Sequence, residues 1–502
     1  MCRASRAAAL EYSTFPNEKK KHMTDEATAK PANTGAAPDD KINRLGSGSI
    51  PKLLTEFAVP AITGTLVNAA YNIIDALFLG RAMGEIGLSA TQVATPIMTV
   101  FLAIAMMVGA GGNAFCALKL GEGDKETAER SLGNTVTLSI IIWVVVAVLA
   151  AIPWTLDALL TISSATDDVR SYAATFVRII SFGYIFQCIG FGVNNFIRTA
   201  GAPNRALLTM VTGAVVCVVF NYLFVMVLGW GVAGSALATL VGQCASCCSV
   251  LWYFLVTKNT PLKLRAAFMR PKGFIIRIIF VLGLASFCVQ AGAAVLSFVT
   301  NFLLVKYGDM SVIGGDNALA SIGLVQRVAM FTVMPLVGTS IAAQPILGFN
   351  YGAKLFGRVR KTLLCGVLMA TSIAILMWAI VHIWPSQIVN VFGITDPDLV
   401  DFTIFALQVQ LMLLPVVGFQ IVGANYFQAT GQPVKSIILS LSRQVLFLLP
   451  LMFFLPEWLP TWTAFTGLDA LYIATPVADA LAIILTAVFV CIELVNLGKK
   501  AA

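Results

Sequence analysis

Charge is scarce in this chain and histidine almost missing: Asp, Glu, Lys and Arg make up 12% of the 502 residues, and histidine occurs twice. A soluble domain carries about twice that share of charge. Set against 58% hydrophobic residues, the deficit excludes a water-soluble fold and makes the bilayer the solvent for most of the surface. No glycine loop of the G-x-x-x-x-G-K-S/T kind occurs, which excludes ATP hydrolysis by this chain. Energy for any uphill work must come from an ion gradient or a partner. Ten cysteines invite a metal or redox reading that their positions discourage. Cys244, Cys247 and Cys248 lie within one apolar run, where small polarizable side chains let helices approach closely. His22 sits in a polar amino-terminal stretch and His382 near the end of another run, with no second ligand cluster at metal-binding spacing. No metal and no cofactor is expected.

What the chain does contain is twelve apolar runs, at about 51–80, 90–118, 131–155, 168–197, 204–228, 232–257, 274–305, 317–348, 360–384, 398–429, 434–455 and 470–496. Each reaches the roughly 20 residues needed to cross a hydrocarbon layer of about 30 Å. The fold class read from this is an all-α polytopic membrane protein with twelve transmembrane helices in two pseudo-symmetric six-helix bundles. The duplication shows in recurring residues. Asn72 and Asn301, Gly123 and Gly352, and Lys125 and Lys354 stand 229 apart; Asn195 and Asn425, Gly201 and Gly431, and Pro203 and Pro433 stand 230 apart. Six helices return the chain to the side it left, so the copies are parallel repeats, an arrangement typical of transporters.

The net charge of +8 is distributed by side. With the amino terminus inside, the cytoplasmic loops carry Lys119, Lys125, Arg130, Arg198, Arg205, Lys263, Arg265, Arg270, Lys272, Arg358, Arg360, Lys361 and Lys435, whereas the opposite loops are acidic, with Asp157, Asp168, Asp309, Asp396, Glu457 and Asp469. Basic residues collect on the cytoplasmic side because they resist translocation and meet anionic lipid there. Both termini are therefore expected in the cytoplasm and the protein in the plasma (inner) membrane. Lipid is its surrounding partner, and nucleic acid is excluded, because the basic residues are dispersed without a stacking platform. The expected organisation is a disordered tail over 1–49, a first bundle over 50–257, a linker over 258–273, a second bundle over 274–496 and a short tail over 497–502. The tail has no apolar core suited to a secretory signal; Met23 is a plausible alternative start, and Gly46 to Ser49 form a flexible link. Nothing calls for a second copy, and a monomer is expected.

Ionisable groups inside spans are costly and mark function by default. Asp75 is the clearest, in YNIIDALFLGR near the outer end of the first helix. Asn68, Asn72 and Asp75 share one helical face, with Tyr71 beside them. Such a stripe must face protein or a watery cleft, since lipid offers it no partner. Asn221 and Thr239 lie nine residues either side of Trp230, each roughly 13 Å from that turn at the helical rise. Asp75, Asn221 and Thr239 are thus expected to converge in the outer half of the first bundle. Asn221 and Thr239 read equally well as interhelical glue.

These residues carry a resemblance to the multidrug and toxic compound extrusion (MATE) family, within the wider superfamily that includes oligosaccharidyl-lipid and polysaccharide flippases. The marks are NIIDALFLGR in the first helix, NNFIRTAGAP closing the fourth, LGWGVAGSALATLVGQ between fifth and sixth, AAQPILGFNYGAK closing the eighth and ANYFQATGQP closing the tenth. The resemblance implies an antiporter of two bundles around a central cleft, not an enzyme, exporting small organic and often cationic compounds against Na⁺ or H⁺. It also implies an ion site: Asp75 matches the family's first-helix carboxylate and Thr239 its sixth-helix threonine. The fifth helix departs, with Cys217 at an asparagine position and Asn221 at an aspartate position. A thiol is a poor ligand for a hard cation, so H⁺ is expected in preference to Na⁺ as the coupling ion.

Asp479 in the twelfth helix is the remaining second-half acid, either a secondary ion site or a hydrogen-bonded helix contact. Gln326 and Arg327 are candidates for lining the cleft, with a structural ion pair the alternative. Arg178 and Arg443 read as snorkelling or carboxylate-paired cations with no substrate role. Pro60 interrupts hydrogen bonding in the first helix and is the expected hinge, bending as Asp75 changes state. The competing function is a lipid-linked sugar flippase. Against it stand the absence of an extra helix pair and of a cationic cluster able to grip a pyrophosphate.

Overall fold

The computed structural model describes residues 38–162, 167–257, 260–308, 315–391, 397–463 and 465–501. These are helices joined by short turns, with no strand among the described residues. Eleven described helices are long and apolar enough to cross a membrane: Ile50–Gly84, Ala90–Gly121, Lys125–Ala151, Arg170–Thr199, Pro203–Val227, Gly231–Leu255, Gly273–Leu304, Ser321–Gly352, Phe356–Ile383, Pro433–Thr461 and Gly467–Lys500. The twelfth span, tenth in order, is the bent pair Leu399–Gln410 and Leu414–Ala429, which turns through 43°. Pro415 opens the second segment of that pair; without an N–H it cannot continue the ladder of the first.

Local chemistry sets the breaks. The first two spans form one run of helix interrupted at Gly84, whose φ of 59° and ψ of −140° are open to glycine and strained for other residues. The Asp124 side chain accepts from the Thr127 N–H at 3.0 Å, capping the third span. Helix is continuous through Pro60, the expected hinge. The fifth and eleventh spans, which occupy the same place in each bundle, both contain a π-helical turn, at Tyr222–Val227 and Ser442–Leu448, and a third lies at Cys188–Gly192 in the fourth. Such a turn inserts one residue and rotates the rest of the span about its axis.

Two expectations need correction. The segment assigned to a disordered tail and flexible link contains a helix at Pro38–Ser47; the rest of that tail, residues 1–37, lies outside the described residues. Ile42 and Leu45 bury the inner face of this helix. Its end is clamped where Asn350 Nδ2 donates to the Leu45 carbonyl at 2.9 Å and Arg358 Nη2 donates to that of Gly48 at 2.7 Å. These partners lie some three hundred residues away, so local polarity alone misread the segment. The last helix also continues past 496 to Ala501, carrying its lysines on helix rather than on a tail.

The repeat register is the second correction. Gly201 and Gly431 share a positive φ of 78° and 75° and precede helices starting at Pro203 and Pro433, as the 230-residue spacing expects. At the turn after the second and eighth spans, however, positive φ falls at Gly123 (81°) and Lys354 (58°). Gly123 is therefore the counterpart of Lys354, and the pairing with Gly352 is off by two. The true counterparts Gly121 and Gly352 meet across the molecule: a β-carbon on Gly121 would collide with the Phe349 carbonyl oxygen, and one on Gly352 with that of Leu118.

The two bundles join along a seam where the first two spans pack on the seventh and eighth. Thr65 Oγ1 donates to the Met334 carbonyl at 3.2 Å, and Asn113 Nδ2 to Gln344 Oε1 at 3.2 Å. At the end carrying the basic loops, the Gly121 and Gly352 contact draws the helices together backbone to backbone.

The connection between bundles is strapped to the first. Asn134 Nδ2 donates to the Phe268 carbonyl at 3.3 Å and Asn134 Oδ1 accepts from the Lys272 N–H at 2.8 Å. Buried Glu129 accepts from the Lys263 N–H at 3.1 Å and pairs with Arg265 at 3.2 Å. Asn134→Ala is expected to cost about 1–3 kcal/mol by stranding these backbone groups. Limited trypsin digestion checks it: cleavage after Lys263, Arg265 or Lys272 should accelerate several-fold, and an unchanged digestion pattern would show that the strap is redundant.

Candidate functional site

Asp75 stands about two turns before the Gly84 break, facing the fifth and sixth spans. Small residues make room for it: Gly231, Gly234 and Ser235 open the sixth helix, and Gly242 packs against Cys217 and the Gly213 carbonyl. Asn221 and Ser235 are buried and Asp75 is half-buried.

Two donors converge on one carboxylate oxygen. Asn221 Nδ2 donates to Asp75 Oδ1, and Ser235 Oγ donates to the same Oδ1 at 2.8 Å. Among the described residues no cation pairs with Asp75. Asn221 Oδ1, buried beside it, has no hydrogen-bond partner. The site thus holds a carboxylate with an uncommitted second oxygen and an orphaned amide acceptor next to it. A buried anion without a counter-charge is expensive, and taking up a proton or a small cation relieves that cost.

The remaining predicted residues fall around this pair with different roles. Thr239 sits one turn deeper than Ser235, beside Cys217, and the sixth-helix residue that donates to Asp75 is Ser235 and not Thr239. Cys217 and Thr239 form an inner rung below the outer rung of Asp75, Asn221 and Ser235. Asn72 is exposed, and its Nδ2 donates to the Asn68 carbonyl at 2.7 Å. Asn72 therefore satisfies its own helix, and among the described residues neither its side chain nor that of Asn68 hydrogen-bonds Asp75. Ser235 escaped the sequence reading because a serine among small residues reads as packing glue; its spacing of four before Thr239 was the available signal.

In the second bundle, Asp479 is 2% exposed and Arg443 Nε donates to its Oδ1 at 2.7 Å. Arg443 lies in the π turn of the eleventh span. Gln326 is exposed into a cavity of about 300 Å³ that Arg443 also lines. Arg327, its neighbour, is exposed and makes no ion pair among the described residues, so the structural-pair alternative fails for it. No group of three or more His, Cys, Asp or Glu side chains able to hold a metal occurs among the described residues.

Twelve spans in two joined bundles, with a cation-free carboxylate in one, define a polytopic membrane transporter fold. The MatE family model matches residues 60–223 and 285–454, and the chain belongs to this family. The multidrug export protein MepA of Staphylococcus haemolyticus (strain JCSC1435) is 24% identical over 417 residues, spanning 83% of this chain and 89% of that protein. The MATE multidrug transporter DinF-BH, solved in complex with R6G, is 34% identical, with a TM-score of 0.80 over 89% of this chain and 96% of that one. An outward-facing multidrug resistance MATE family transporter of the MOP superfamily superposes with a TM-score of 0.82 at 23% identity, covering 91% of this chain and 98% of the other.

Proposed function

We propose that this chain is a multidrug efflux antiporter that exports small organic cations in exchange for H⁺, with Asp75 carrying the coupling proton. The observation that carries the reading is the state of Asp75: an intramembrane carboxylate with two hydrogen-bond donors on one oxygen and no counter-cation. Export of drugs is supported by family membership, by the description of MepA as a multidrug export protein and by that of DinF-BH as a multidrug transporter. The orientation that fits the loop charges has both termini in the cytoplasm and the basic end inside, in the inner membrane, with a single copy sufficient and no cofactor required.

The choice of H⁺ over Na⁺ rests on ligand chemistry. A dehydrated Na⁺ needs several oxygen ligands. Around Asp75, Asn221 and Ser235 turn hydrogens toward the carboxylate, and the deeper rung offers a sulfur. A proton needs only Asp75 Oδ2, with the Asn221 amide oxygen as an adjacent acceptor.

In the working cycle, a proton arriving from outside neutralises Asp75 and removes the cost of closing the site around it. The first helix then repacks against the fifth and sixth, the exported cation is released, and rocking of the two bundles exchanges access. Loss of the proton to the cytoplasm restores a negative site that attracts the next cation.

Reconstitution into liposomes with pH and Na⁺ varied separately tests this. Transport of a fluorescent aromatic cation should follow an imposed pH gradient and be indifferent to replacing Na⁺ by K⁺. Transport that follows a Na⁺ gradient at uniform pH and stops in K⁺ would overturn the proton assignment.

A further inference from the structure

The second bundle contains a cavity of about 300 Å³, at the lower end of the range of small-molecule sites. Its walls come from the seventh, eighth, tenth, eleventh and twelfth spans. Leu296, Leu304, Ile322, Leu448 and Met452 give it an apolar side, facing a polar one of Gln326, Gln410, Arg443 and Gln444. The first bundle carries a carboxylate, Asp75, on its first helix, whereas this cavity is lined by an arginine, Arg443, on the fifth helix of its bundle.

Arg443 is held at one edge by a buried carboxylate. Its Nε donates to Asp479 Oδ1 at 2.7 Å, the one hydrogen bond that the guanidinium makes among the described residues. Asp479 is almost wholly enclosed, whereas the Arg443 side chain keeps 28% of its surface open. The carboxylate therefore fixes one edge of the guanidinium, and the terminal amino groups remain available to the cavity. Those groups form a planar fork that matches carboxylate or sulfonate oxygens. Gln444, the next residue in the same π turn, has a buried Oε1 with no partner; such an acceptor is costly unless a donor reaches it. A ligand that satisfies both needs an anionic group, a nearby N–H or O–H and an apolar body.

We propose that this cavity is a binding site for a small amphipathic organic anion, a carboxylate or sulfonate bearing a hydrogen-bond donor, gripped by Arg443 with Asp479 as its positioning residue. The inference rests on the transporter reading for its purpose and on the second bundle alone for its chemistry. It widens the range of exported compounds beyond cations, since each bundle then supplies a site of opposite preference.

The test measures binding, without a gradient, to the purified full chain in nanodiscs of zwitterionic lipid. The probes are a hydroxynaphthalene sulfonate and its uncharged sulfonamide, matched in shape. Wild type is expected to prefer the sulfonate by about tenfold or more, the worth of a charge-assisted hydrogen bond. Arg443→Gln alone leaves Asp479 unpaired and endangers folding, so the deciding variant is Arg443→Gln with Asp479→Asn, which removes both charges together. It should keep the wild-type Tm within a few degrees and lose the sulfonate preference. Arg443→Lys, which retains the pair with Asp479 but not the fork, should lose part of the preference. Equal binding of the two probes by wild type, or a sulfonate preference that survives in the double variant, overturns the proposal. Gradient-driven cation export is read separately in liposomes, so this site can fail while the antiporter reading stands, and the reverse.

Discussion

Asp75→Asn should reduce gradient-driven export to the level of liposomes without protein while leaving the chain folded. The amide keeps the shape of the carboxylate and offers Asn221 and Ser235 an oxygen in the place of Asp75 Oδ1. Stability is therefore expected to change by only about 1 kcal/mol, the net worth of a hydrogen bond. What disappears is the titration. A site locked in the neutral form can no longer alternate between a state that closes at low cost and one that attracts a cation, and both halves of the exchange stop. Thermal unfolding reads the fold, and transport reads the coupling. Normal transport rates under an imposed pH gradient would assign Asp75 a structural role.

The second large effect is expected at the seam. Gly121 and Gly352 bring the second and eighth spans together at the basic end so closely that neither tolerates a β-carbon without displacing backbone. Gly121→Leu should leave each bundle intact, because the clash lies between them, and should hold this end apart. Overpacking of this kind costs about 1–3 kcal/mol, which moves the equilibrium between closed and open ends by roughly 5- to 150-fold. Export should fall by a similar factor. Spin labels at the exposed positions Glu126 and Lys361, one on each bundle, should report a longer mean distance in the variant than in the parent. An unchanged distance with normal export would mean that the seam does not open during transport.

Much of this was legible in the sequence because membranes make polarity conspicuous. Hydrocarbon tolerates so few charges that Asp75 and Asp479 stood out in their spans, away from the acids nearer the ends, and the Trp230 turn fixed the depth of Asn221 well enough to bring it to Asp75. Side chains that are cheap to bury were harder to read. Ser235 costs little as glue, and nothing in its neighbourhood distinguished it from Thr239 as the partner of Asp75. Register was harder still. The identity of Gly123 with Gly352 and of Lys125 with Lys354 suggested a 229-residue repeat, but the chain reverses at Gly123 and Lys354, because backbone dihedrals rather than residue identities define a turn. Arg443 was seen as a cation that either snorkels or pairs. Its placement in a π turn, which rotates the residues around the helix axis, is invisible to a reading that assumes a period of 3.6. The helix at 38–47 was missed for a similar reason: its stabilising partners, Asn350 and Arg358, are distant in sequence.

The central claim is that a proton and an exported cation compete for a site whose charge resides on Asp75. Adding a saturating aromatic cation to the purified protein in weakly buffered detergent solution, with a pH indicator present, measures that competition without a membrane. Wild type should release protons as the cation binds, in an amount that saturates with binding, and Asp75→Asn, which binds the compound more weakly, should release none even at concentrations that occupy it. Cation binding without proton release by wild type, or equal release by both proteins, would contradict the account.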